Sequence, residues 1–139
     1  MSANQKHIKD WIDKADHDIG SAKLIYAHIP EYFDTIAFHC QQAVEKYIKS
    51  ALIFYEIEFL RSHDLVYLLD LLSQKIEIDE VTYNMAITLN AFSVQIRYPN
   101  SIVFLTIEEL EYSISVAQYF RVYALKIAGF NNEIVESNN

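Results

Sequence analysis

The chain has 139 residues, 52% of them apolar, with only two Gly and two Pro and a formal charge of −8. That length makes one domain with a real core, and so little Gly and Pro favours long helices over a turn-rich sheet protein. Eleven basic against 19 acidic side chains remove any general bias toward nucleic acid, whose affinity comes largely from neutralised phosphates.

The first predicted helix covers 5–29. Ile8, Ile12, Ala15, Ile19, Ala22 and Tyr26 repeat at alternating four and three, a bundle-like seam with Trp11 at its edge. Asp10, Asp13, Lys14, Asp16 and Asp18 fall on other faces and are expected to form a solvated surface. Pro30 stops this helix, and the short link that follows predicts an antiparallel hairpin with the second. The second helix, 36–55, contains neither Gly nor Pro. Ile36, Cys40, Ala43, Val44, Tyr47, Ile48, Ala51 and Phe54 form an apolar stripe, while His39, Gln42, Lys46 and Lys49 make a polar ridge with Glu45 beside it. So full a stripe needs several neighbours, which makes this the central helix of the bundle.

A loop with apolar residues follows, and Ser62-His63-Asp64 supplies capping side chains for a brief third helix ending near Lys75. Asp79 is expected to cap the fourth, which carries Val81, Met85, Leu89, Phe92 and Ile96 and breaks at Pro99. The last helix opens on the capping box Thr106-Ile107-Glu108-Glu109 and stops at Gly129, with Lys126 in its final turn. Its inner face reads Ile107, Leu110, Ile114, Ala117, Phe120 or Arg121, Ala124 and Ile127. The expectation is an all-α, up-down four-helix bundle with an additional short helix. A single domain spans 1–130, and 131–139 is a frayed polar tail.

The available chemistry is limited. No Glu-x-x-His and no Cys-x-x-Cys occurs, so neither a di-metal carboxylate site nor a structural zinc site is expected. Gly20 and Gly129 alone cannot build a phosphate-cradling loop. No apolar run suits a membrane span, the polar N-terminus resembles no signal peptide, and lone Cys40 reads as a buried thiol. A soluble, cytoplasmic protein without cofactors is the expectation. What remains is a polar set: His39, Gln42, Glu45 and Lys46, then His63 and Asp64, then Arg97 and Tyr98. It reads either as an anion or nucleotide pocket, with Lys46, His63 and Arg97 on phosphate, or as ordinary helix-to-helix hydrogen bonds, surface charge and caps.

Phe38-His39-Cys40-Gln41-Gln42-Ala43-Val44-Glu45-Lys46-Tyr47-Ile48-Lys49 resembles the signature second helix of HEPN domains (higher eukaryotes and prokaryotes nucleotide-binding). Ser62-His63-Asp64-Leu65 and Arg97-Tyr98-Pro99 resemble the next two motifs of that family, in order. The resemblance implies a five-helix bundle that often forms homodimers. Many members resemble small proteins paired with a minimal nucleotidyltransferase, often as toxin and antitoxin. Another branch consists of metal-independent ribonucleases carrying Arg, four to six residues, then His. Arg97 matches that Arg, but the window beyond holds Ile102, Val103 and Phe104, none of which can exchange a proton near neutrality.

The resulting expectation is a non-catalytic protein that binds a nucleotide, a nucleotidyltransferase partner, or both. In that reading Lys46 and Arg97 supply positive charge, Glu45 and Asp64 orient them, Tyr98 offers a stacking face, and His39 and Gln42 hydrogen-bond. Two alternatives stand beside it. One is a homodimeric interaction module with the ridge at a two-fold interface. The other is a ribonuclease in which His63 or His39 replaces the missing group.

Overall fold

The described residues form five helices: α1 (Ala3–His28), α2 (Phe33–Phe54), α3 (Leu65–Leu72), α4 (Glu80–Ile96) and α5 (Ile107–Ala128). The structure is a computed structural model that describes residues 1–96 and 104–130, and for 94–96 the backbone alone. No strand occurs among the described residues. Arg97, Tyr98 and Pro99 lie outside them, as does the segment 131–139.

Local sequence sets the helix ends. Ser2 accepts from the Gln5 N–H while the Gln5 side chain accepts from the Ser2 N–H, so α1 starts two residues earlier than periodicity alone predicts. The same reciprocal pair, Thr106 with Glu109, opens α5 as expected. Gly129 ends α5 at φ 78°, a left-handed conformation that a Cβ penalises. Asp79 caps α4 by accepting from the Thr82 N–H at 2.8 Å, and its hydrogen bonds with Thr82 hold its carboxyl below the usual carboxylate value.

Long-range pairs give the helix directions. Tyr26 meets Glu111 and Asp16 meets Arg121, so α1 and α5 run antiparallel. Asp64 meets Asn90 and Asp70 meets Tyr83, so α3 and α4 run antiparallel as well. Helix α2 packs against all four others, the central position its apolar stripe requires. Every residue of that stripe is buried except Phe54 in the last turn. Helix α3 is short, yet Leu65, Leu68, Leu69 and Leu72 are all fully enclosed. At about 1.5–3 kcal/mol for each buried leucine, packing rather than helix propensity holds it.

Two apolar faces sit differently from the expected ones. Val81 is exposed, and α4 buries Thr82 and Ala86 beside the expected Leu89. The Thr82 hydroxyl makes this possible by bonding the Tyr119 hydroxyl at 2.6 Å, so a polar group enters the core satisfied. On α5, Leu110, Ala117, Phe120 and Ala124 are buried as periodicity suggests, but Ile107 is exposed, and Ser113, Val116 and Leu125 widen the buried face. The Ser113 hydroxyl is satisfied within its own helix by the Glu109 carbonyl.

Candidate functional site

The polar ridge of α2 meets α1 along the groove between these two packed helices. Asp18, on α1, is the hub of that edge. One carboxylate oxygen accepts from His39 Nδ1 at 2.8 Å, and the other accepts from Lys46 Nζ. One seven-residue step of α2 therefore carries an imidazole and an ammonium, both clamped on one buried carboxylate. Both groups keep contact with solvent, His39 at 25% and Lys46 at 23% side-chain exposure. His39 Nε2 and two of the three Lys46 N–H groups have no partner among the described residues.

A second carboxylate, on α2 itself, repeats the arrangement. Glu45, whose side chain is 4% exposed, accepts from Lys49 Nζ at 3.0 Å and from His63 Nδ1 at 2.7 Å. Lys49 is buried between the rings of Trp11 and Phe59, 5.6 and 5.7 Å from their centroids. His63 is 58% exposed, and its backbone carbonyl accepts from the Gln41 side chain at 2.7 Å. Gln42 donates to Gln41, and Phe38 stands exposed with its ring edge-on to His39. Cys40 lies beneath, and burial pushes its thiol up to about 12, with the Asp18 charge adding to the effect.

A third carboxylate, Asp16, faces the other way. Arg121 of α5 donates to both of its oxygens at 2.9 and 3.1 Å, and the fully buried Tyr47 of α2 donates its hydroxyl to one of them. Burial first, and then the Asp16 bond, raise the Tyr47 phenol far above its ordinary value. This junction ties three helices together.

The expected site residues separate on this geometry. His39 and Lys46 meet on Asp18, Glu45 and His63 meet each other, and Gln42 bonds the neighbouring Gln41. Asp64 accepts instead from the Val66 and Tyr67 N–H groups and from Asn90, which makes it the α3 cap. Lys46 is oriented by Asp18 and not by Glu45, whose two oxygens are taken by Lys49 and His63. Arg97 and Tyr98 lie outside the described residues. Asp16 and Asp18, expected on a solvated surface, are instead the carboxylates that organise α1, because α2 and α5 pack over them. One signal does point to Asp18: it lies one heptad after Trp11, so whatever covers the indole also covers the carboxylate.

Among the described residues no group of three or more His, Cys, Asp or Glu is placed to hold a metal ion. None of their helices is long and apolar enough to cross a membrane.

Two solved structures share this architecture. TT1696 from Thermus thermophilus matches with a TM-score of 0.75 at 21% identity, over 86% of this chain and 97% of that one. ST0689, described as an archaeal HEPN homologue, matches with a TM-score of 0.68 at 22% identity, over 87% and 97%. At such identities the likeness concerns the fold. Among curated proteins nothing matches. The family model of the HEPN domain matches residues 8–127, from the first core residue of α1 to the last turn of α5. The chain belongs to the HEPN-domain family.

Proposed function

We propose that the α1/α2 groove binds the phosphate of a nucleotide, free or presented by a nucleotidyltransferase partner, and performs no covalent step of its own. The observation that carries this reading is the clamp on Asp18, which holds His39 and Lys46 side by side with unengaged nitrogens turned to solvent. A phosphate bridging them would meet donors already ordered, so little side-chain entropy is lost on binding. Charge-assisted bonds to phosphate are about twice as strong as neutral ones, and Lys46 supplies such donors whatever the state of the imidazole. Phe38 adds an exposed ring at the open end of the groove, a face on which a base can stack.

Calorimetric titration with nucleoside mono-, di- and triphosphates tests the reading. Lys46→Ala is expected to weaken binding by about tenfold or more, the loss of one charge-assisted bond, while circular dichroism stays unchanged. No heat with any nucleotide, or wild-type affinity in both Lys46→Ala and His39→Ala, sinks the assignment.

A further inference from the structure

A second surface lies at the end of the bundle where α1 stops and α2 and α5 begin. Ile29, Tyr32, Phe104 and Ile107 are all exposed there, Phe104 at 70%. The register of the helices brings them together. Tyr26 is bonded to Glu111, so one turn further along antiparallel α1 and one turn back along α5 set Ile29 level with Ile107. Phe104 packs edge-on against Phe33, the first residue of α2 and the neighbour of Tyr32, with ring centroids 5.6 Å apart. Single exposed apolar residues need no explanation, but a contiguous aromatic and aliphatic cap marks a contact surface.

The charges around the cap state what kind of contact it suits. Glu31, Asp34 and Glu108 are exposed beside it. The stretches 29–34 and 104–111 contain no Lys, Arg or His, and His28, exposed in the last turn of α1, is the one basic side chain among the described residues that directly flanks them in sequence. A second copy docking here about a two-fold axis would bring the same acidic rim against itself, which opposes self-association. An anionic lipid surface is repelled in the same way.

We infer that this end of the bundle is a docking surface for a different protein, one that presents an amphipathic helix with an apolar face flanked by Lys or Arg. The helix would lay its apolar side chains on Phe104 and Tyr32 and set its basic flanks against Glu31, Asp34 and Glu108. Such helix-in-groove recognition takes affinity from the buried aromatic anchors and orientation from the charged rim.

Two synthetic amphipathic helices with the same leucine face, one flanked by Lys and one by Glu, serve as probes in fluorescence anisotropy at physiological salt. The Lys-flanked helix is expected to bind the wild-type chain at least about tenfold more tightly than the Glu-flanked one, and Phe104→Ser to weaken it by about tenfold, as loss of a central aromatic anchor does. The triple variant Glu31→Lys/Asp34→Lys/Glu108→Lys should reverse the preference, and it tests the rim without removing an apolar contact. Circular dichroism confirms that each variant is folded. Binding of the Lys-flanked helix that survives Phe104→Ser unchanged places it elsewhere on an acidic protein and overturns the inference. So does an unreversed preference in the triple variant. A wild-type dimer in sedimentation that Phe104→Ser dissociates identifies a second copy as the occupant and overturns it too.

Discussion

Asp16 and Asp18 sit two residues apart on one helix, and the structure uses them in opposite ways. Asp16 is closed. A bidentate guanidinium and a phenol fill both its oxygens, and the groups holding it come from the two helices that cover it. Asp18 is open on one side, since the imidazole and ammonium it holds belong to an edge that still reaches water. The difference follows from helix geometry. Two residues turn the side chain by about 200°, so one carboxylate faces the α5 junction and the other the groove. A saturated carboxylate fastens helices, whereas a carboxylate holding cations outward can present them to a ligand.

The largest test of that contrast is Asp16→Ala. It removes the carboxylate that the Arg121 guanidinium, 15% exposed, and the buried Tyr47 hydroxyl share, and losing these part-buried, charge-assisted bonds together is expected to cost about 3 kcal/mol. Urea unfolding with an unchanged slope measures it, and a loss below about 1 kcal/mol would contradict the closed junction.

Asp18→Asn should do much less to stability, about 1 kcal/mol, because His39 and Lys46 can return to water when released. The same denaturation series checks this, and a cost matching that of Asp16→Ala would remove the distinction between the two sites.

Cys40 gives the finest probe, since it lies under the open side. Its thiol is pushed up to about 12 from an ordinary value of 9.0, so the folded chain holds its proton where the unfolded chain releases it. The folded state therefore binds more protons between those values, and stability falls as pH rises from about 9 toward 12, with no pH dependence from this group below. At pH 8 a thiol reagent such as Ellman's should label Cys40 no faster than the chain globally unfolds. Faster labelling would mean that the groove side opens on its own.

The second helix was legible from its residues alone. The stripe from Ile36 to Ala51 is buried as periodicity required, and the polar ridge carries its side chains to Asp18 on one side and His63 on the other. The Thr106 and Glu109 box and the Gly129 stop were equally legible, because capping is a local matter of side chains reaching backbone groups three residues away. Helix α4 was read less well. A hydroxyl such as that of Thr82 is polar in any one-dimensional pattern until a partner like Tyr119 arrives to satisfy it.

Sequence by itself determined the helices, most of their ends, the central place of α2 and the family. All of these rest on apolar periodicity, capping chemistry and motifs contained within short stretches of chain. Only the tertiary structure decided which carboxylates matter. A helix-edge Asp looks the same in sequence whether water or another helix lies beside it. The packing of α2 and α5 onto α1 gives Asp16 to Arg121 and Tyr47, and Asp18 to His39 and Lys46. The partners of a charge lie tens of residues away, and only folding brings them within hydrogen-bond reach.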